Sequence, residues 1–487
     1  MSQAGNINIR KQATISFAGN LADTAMSFLG LIAMAYILGA SDLGRYYLIL
    51  SVVNVALFPV NGIAKAVLKR GSEDSNDPSE VFSTGLVLSV LYCVLIALIV
   101  FMLRGFDIPV QLSLNILLIS LALLVSRSVL IVQIDAYSGY GHTGYATLVD
   151  NGYGILQTLL QLSILALGFG IAGLLVSTVV ATVITIVVHL LVSVISLSRP
   201  SLSIARSLFQ YSRWSVSSAG LSTVYNRLPV LFLGFLGLEA EIGYYQAADR
   251  LLMLGSYVGA SLSPALMAKT SSKTSMGSAN EMLSDFRESH HHVTILAVAL
   301  AFGGFALSEP LMLTMFDMAS SLAAEALAIL TLSHIIKSLT RIEYTYLDGL
   351  DLPELNTKST FASLLVQSIL LPIMYSHYGF IGVLLSIVIS QSVSLIIAQI
   401  IFWERFSTIP LPGGLLTQSV SGLIMFVAVK LLRSYVGVSS VFVLVLIVVF
   451  GSIVYFSTLL TIDPTFRSLA KSVFQDFKRA IAARTES

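Results

Sequence analysis

Charge is what this sequence has least of. Of its 487 residues only 11% are Asp, Glu, Lys or Arg, while 56% are hydrophobic, and the mean hydropathy is +0.87. Soluble domains carry about 25% charged residues, so a water-soluble fold is excluded. The charges present nearly cancel, to +1 at pH 7, and form no single basic patch, which argues against a nucleic-acid partner. Cys93 is the lone cysteine and lies in an apolar run, so neither an intramolecular disulfide nor a cysteine-based metal site can be built. The start of the chain, "MSQAGNINIRKQATISF", lacks the short apolar core and small-residue cleavage site of a removable signal. It reads as a cytoplasmic lead-in to a first spanning helix.

What is present is apolar sequence in lengths of about 20 residues, enough to cross a bilayer as helix. Fourteen such segments are expected, near 13–38, 43–66, 81–103, 112–134, 145–168, 171–197, 209–237, 241–267, 293–316, 322–347, 359–377, 379–402, 414–434 and 437–461. Connections such as "GFGIAG" (168–173) and "SHYGF" (376–380) are short enough to demand tight helical hairpins. With both termini in the cytoplasm, sixteen of the 27 Lys and Arg residues fall in inner loops and tails and only Arg45, Arg104 and Arg433 in outer ones. That is the inside-positive bias of a multi-pass protein of the cell membrane.

The chain also repeats itself. "LGASDLGRYY" (38–47) resembles "LGLEAEIGYYQ" (236–246), Arg127-Ser128 with Gly139 matches Lys337-Ser338 with Gly349, and "GIAGLLVSTV" (170–179) matches "GFIGVLLSIV" (379–388). The matches keep their order and their offset drifts slowly, so spans 1–6 and 7–12 read as two copies of one six-helix unit. An even number of spans per copy gives both the same orientation, related by an axis along the membrane normal. The expected fold is therefore an all-α polytopic membrane protein of 14 helices: a first lobe at 1–200, a second at 201–408, two extra spans at 409–462, and a basic amphipathic tail at 463–487 lying on the inner leaflet.

Polar residues fall in stripes at helical spacing: Ser16, Asn20, Asp23 and Ser27 in span 1; Tyr47, Ser51, Asn54, Phe58, Asn61 and Lys65 in span 2; Ser215, Ser218, Ser222, Asn226 and Arg227 in span 7; Gln246, Asp249, Arg250, Met253 and Tyr257 in span 8; His334, Lys337, Arg341 and Asp348 in span 10. Serine and asparagine alone would serve as interhelical hydrogen-bond partners. A lysine or arginine at that depth costs roughly 2.5–3.5 kcal/mol on insertion scales and requires a partner or water. A central water-filled cavity would satisfy all the stripes together.

Fourteen spans as six, six and two, the first hairpin turn "LGASDLGRYYLI", its echo "LGLEAEIGYYQAADRLL" and the polar first and seventh spans resemble the polysaccharide-transporter family. These oligosaccharide flippases belong to the superfamily that also holds lipid II flippases and multidrug and toxin extrusion transporters. The likeness runs over nearly the whole chain. It implies V-shaped lobes, alternating access, and a polyprenyl-linked oligosaccharide moved from the cytoplasmic to the outer leaflet for surface polysaccharide or glycoprotein assembly. It implies no enzyme activity, and the expected state is a monomer whose partners are the lipid-linked oligosaccharide and membrane lipids.

Such a cargo carries a phosphate or pyrophosphate, which guanidinium groups bind in bidentate fashion. Arg227 and Arg250, near-symmetric about the acidic tip at Glu239 and Glu241, are the expected phosphate ligands, with Arg127 and Lys337 receiving it nearer the cytoplasm. Asn54, Asn226, Tyr257 and Asp249 would line the cavity toward sugar hydroxyls. The structural alternatives are a bridge between Arg227 and Asp249 and snorkelling of Arg127 and Lys337 toward the inner surface. Asp23 is the candidate for a coupling H+ or Na+, against a hydrogen bond to Asn20 or span 2.

Three further motifs carry less. "GYGHTG" (139–144) has GxGxxG spacing but follows a membrane helix and reads as a loop. "HHH" (290–292) reads as an interfacial anchor at the start of span 9, with metal binding as its rival. "GSEDSNDPSE" (71–80) lacks calcium-loop spacing. No cofactor is expected. A cation-coupled multidrug exporter should have carboxylates dominating its cavity. A membrane glycan polymerase should have a large outer loop bearing catalytic residues, whereas no outer loop here exceeds about ten residues.

Overall fold

A computed structural model describes residues 9–73, 77–103, 113–192, 195–253, 255, 270, 279–406, 414–471 and 475. Among them the chain is helical and contains no strand. In order, the helices are α1 (Ile9–Ala56), α2 (Phe58–Gly71), α3 (Pro78–Leu103), α4 (Leu114–Gly139), α5 (Thr143–Ala166), α6 (Gly170–Val192), α7 (Leu202–Phe235), α8 (Glu239–Met253), α9 (Ala279–Ala306), α10 (Ser308–Phe316), α11 (Ser321–Gly349), α12 (Pro353–Phe406), α13 (Leu415–Val436) and α14 (Val441–Ile462). Eight described helices are long and apolar enough to cross a membrane, or nine if Ser289–Ala306 and Ser308–Phe316, bent by 82°, make one broken span. The chain is thus an all-α, multi-pass membrane protein. Tyr257, most of expected span 8 beyond Met253 and the far end of the tail lie outside the described residues.

Glycine places the breaks. α1 is interrupted at Gly39 (φ 73°) and α12 at Gly379 (φ 57°), both left-handed conformations that an L side chain resists. The two sequence copies use them in register: Gly39 and Gly237 both have φ 73°, and Gly170 and Gly379 both have φ 57°. After α4 and α11, Gly141 (φ 82°) and Asp351 (φ 59°) turn the chain at matching places. Aspartate tolerates this region better than most residues. The repeat is therefore written in the backbone as well as in the residues.

The chain forms two compact units, Met1–Gln246 and Ala247–Ser487, with the boundary inside α8. In the first unit, glycines let helices approach closely. A Cβ on Gly62 would overlap Val216 and one on Gly220 would overlap Phe58, which seats α2 and the break before it on α7. Gly44 lies against the Glu239 carbonyl and Gly243 against the Ala40 carbonyl, each too close for a Cβ. Under the repeat, Gly44 corresponds to Gly243 and Ala40 to Glu239. The contact is reciprocal, as a two-fold axis would make it. Polar links tie the same unit together: Gln161 of α5 donates to the Tyr46 hydroxyl of α1 (2.7 Å) and to Thr178 of α6 (3.1 Å).

In the second unit the core gathers Phe286 of α9, Ile342, Tyr346 and Leu347 of α11, and Phe402 of α12. Ser333 donates to Gln391 (2.7 Å), joining α11 to α12. The two helices outside the repeat dock on α9 and α10. The Tyr455 hydroxyl donates to the Ile295 carbonyl (2.8 Å) and Gln418 to the His291 carbonyl (2.9 Å). Arg433 pairs with Glu309 at 2.6 Å. The histidine run does not anchor a surface. His290 and His291 are buried, because α9 presents them to α11 and to the α13–α14 pair rather than to the membrane interface.

Candidate functional site

In an apolar helix each charge has to be accounted for by what lies beside it. In the first unit, α4 and α5 hold Arg127 over the Tyr153 ring, its guanidinium carbon 4.6 Å from the centroid. Tyr153 is fixed in turn by packing with Leu130 and Ala181. Stacking uses the face of the guanidinium and leaves its N–H edge for oxygen ligands. Lys65 of α2 pairs with Asp135 of α4 at 3.0 Å, and Asp150 of α5 stands in the field of both Arg127 and Asp135. Two cations and two carboxylates thus share this part of the unit.

On α1, Asp23 is half-buried against α5, where Gly154 leaves room for its carboxylate and a Cβ would overlap Oδ1. Asn54 is half-buried on the same helix. On α7, Asn226 is exposed and donates within its own helix to the Ser222 carbonyl (2.7 Å), with Arg227 half-buried beside it.

In the second unit the acidic residue is the organiser. Asp249 of α8 lies 3.0 Å from His334 Nε2 and 3.4 Å from Lys337 Nζ, both on α11. His334 and Lys337 are three apart and share a helix face, so one carboxylate engages both. The Asp249 and Lys337 side chains are 19% and 32% exposed. Arg250, half-buried, sits within the field of Asp249 and reaches Met253 Sδ at 3.9 Å.

Sequence reasoning put His334 and Lys337 on one stripe and Asp249 on another, and did not bring the two stripes together, since 85 residues separate Asp249 from His334. It passed over Glu343 of α11, whose side chain is 0% exposed and lies 3.8 Å from His290. A glutamate inside a helix long and apolar enough to span the membrane was the available signal. Among the described residues no group of His, Cys, Asp or Glu is arranged to hold a metal ion.

The fold and its charges can be set beside known proteins. The family model described as "Polysaccharide biosynthesis protein" matches residues 33–319. The "Probable low-salt glycan biosynthesis flippase Agl15" of Haloferax volcanii is 25% identical over 471 residues, 94% of this chain and 97% of its own length. The "Probable flippase AglR" of the same organism is 22% identical over 478 residues, covering 96% and 99%. Among solved structures, the lipid II flippase MurJ in an inward closed conformation superposes with a TM-score of 0.77 at 15% identity, over 94% of this chain and all of that one. The helical order, the turns and a family match over more than half of the sequence agree: this chain belongs to the polysaccharide biosynthesis protein family.

Proposed function

We propose that the protein is a flippase that moves a polyprenyl-(pyro)phosphate-linked oligosaccharide from the cytoplasmic to the outer leaflet by alternating access. The observation that carries the reading is cationic. Arg127 and Lys337 occupy equivalent positions of the two copies, one stacked on an aromatic ring and the other beside a carboxylate. Together with Arg227 and Arg250 they give membrane helices four cations suited to an anionic head group. Relatives named as flippases, matched over nearly their whole lengths, support the same reading.

In this reading Arg127 and Lys337 receive the phosphate on the cytoplasmic side, and Arg227 and Arg250 hold it near mid-membrane. Asn54, Asn226, Asp249 and Tyr257 face the glycan. Lys337 would exchange Asp249 for phosphate, so Asp249 keeps the cation ordered while no cargo is bound. Fourteen spans divide as six, six and two, both termini are cytoplasmic, and the protein works as a monomer. Asp23 is the candidate for a coupling H+ or Na+ in the first unit. The protein is a transporter and not an enzyme.

The test is leaflet access of carrier-linked glycan in the native host. Deletion of the gene should leave glycan inside, and wild type should restore outer access. Arg227→Ala combined with Arg250→Ala should fail to restore it at equal expression. A leaflet distribution that ignores the deletion sinks the flippase reading and turns attention to small-molecule export.

A further inference from the structure

The second unit contains a buried polar cluster with no role in the reading above. Glu343 of α11 and His290 of α9 are both 0% exposed, with Nε2 3.8 Å from Oε1. Gln399 of α12 donates its amide to the same Oε1. His290 Nδ1 lies 3.2 Å from the Phe286 carbonyl of its own helix, and the Leu339 carbonyl, one turn before Glu343, is the other acceptor near the ring. Three atoms end without a well-formed hydrogen bond: Glu343 Oε2, His290 Nε2 and Gln399 Oε1. Buried polar atoms in folded proteins are nearly always paired, so three on side chains that meet at Glu343 call for an explanation.

The repeat supplies a control. The register that matches Arg127 with Lys337 and Gly139 with Gly349 matches Gln133 with Glu343. Gln133 is equally buried, at 1% exposure, and its Oε1 is also unpartnered. The fold therefore accepts a neutral amide of the same shape at this place. What Glu343 adds is an ionisable oxygen, set beside an imidazole whose free nitrogen can hold a proton.

We infer that Glu343, His290 and Gln399 form a proton-binding site inside the second unit. One proton is held either by Glu343 or by His290 Nε2, as acid and neutral ring or as carboxylate and imidazolium, and at 3.8 Å the two must close up before it passes directly between them. Its loss to water would leave an unpaired buried carboxylate, so exchange requires α9, α11 and α12 to part and admit water. Surrounding groups are otherwise engaged. His291 turns to Asp463 and Gln418, Tyr344 bonds Ser359 and Ser394, Tyr346 packs its ring edge on Phe286, and Tyr455 donates to Ile295. Among the described residues no lysine or arginine pairs with Glu343. A sodium ion would want five or six oxygens, whereas one carboxylate, one amide and an imidazole suit a proton. The site stands apart from the flippase reading; only its use in a transport cycle rests on that reading.

The experiment is infrared difference spectroscopy against pH on the purified full-length protein in lipid nanodiscs. Wild type should show the C=O stretch of a protonated carboxyl that titrates and is absent from Glu343→Gln. That variant should keep wild-type thermal unfolding, following the precedent of Gln133. His290→Gln should move the titration by ~tenfold or more in proton concentration, which also covers the case in which Glu343→Gln fails to fold. Spectra unchanged by Glu343→Gln, or a titration unmoved by His290→Gln, overturn the site. Loss of the band on adding Na+ at fixed pH overturns the proton in favour of a metal cation. No cargo is needed, so failure here and failure of the flippase reading are separable.

Discussion

Residues 127–141 and 337–351 are the same structure with different chemistry. Each begins with a basic residue followed by a buried serine, Ser128 or Ser338, and each ends on a turn with positive φ, at Gly141 or Asp351. Between them the buried positions coincide: Val132 with Ile342, Gln133 with Glu343, Ala136 with Tyr346. The charges are handled differently. The first copy lays Arg127 on Tyr153 and keeps its buried polar position neutral. The second copy ties Lys337 to a carboxylate and puts a glutamate where the first has glutamine. Shape at these positions is thus set by the helix bundle, and charge is free to follow the task of each copy.

The strongest way to break this comparison is to give the first unit the charge of the second. Gln133→Glu would bury a carboxyl where the structure describes no partner for the Gln133 amide oxygen. An uncompensated buried charge costs on the order of 3–5 kcal/mol. The expected outcome is a clear fall in the thermal unfolding midpoint in detergent at neutral pH, recovered in part when acid protonates the group. A variant as stable as wild type at neutral pH would mean that the first unit already hydrates or pairs this position, and the contrast with Glu343 would lose its force.

A smaller effect should follow from releasing Lys337. Asp249→Ala removes the partner of His334 and Lys337 and leaves the lysine to the surrounding helices. Breaking a fully buried pair costs roughly 3–5 kcal/mol, but Lys337 is a third exposed, and water screens it, so about 2 kcal/mol is expected. The matching change in the first unit, Asp135→Ala opposite Lys65, should cost less, because Lys65 is 56% exposed. Equal losses at the two places, read as unfolding midpoints, would contradict the ordering by burial.

These contrasts mark what the sequence could and could not disclose. The repeat was legible because it rests on glycine: only a few residues accept the φ values at Gly39, Gly237, Gly170 and Gly379, so the fold leaves a residue-level trace wherever it turns. The helices were legible because the bilayer demands long apolar runs. Side-chain partners were not. Periodicity places His334 and Lys337 on one face, yet it cannot say that Asp249 of another helix meets that face. The histidine run misled for a related reason. Position along the chain put it at the membrane surface, while packing against α11, α13 and α14 buried two of its three members.

The mildest test concerns the arginine itself. If the first copy manages Arg127 through an aromatic face rather than through a counter-ion, the ring and not its hydroxyl should matter. Tyr153→Phe keeps the face and should leave stability and transport near wild type. Tyr153→Leu keeps bulk in the packing with Leu130 and Ala181 but removes the π cloud, and should cost about 1 kcal/mol, within the ~0.5–2 kcal/mol range of cation–π contacts. In the leaflet assay, if Arg127 binds phosphate as proposed, Tyr153→Leu should lower flipping more than it lowers protein level, since a guanidinium without its platform presents its N–H edge less consistently to phosphate. Equal behaviour of Phe and Leu would assign Arg127 to Asp150, which stands in its field. The two copies would then hold their basic residues in the same way, by a carboxylate on a neighbouring helix.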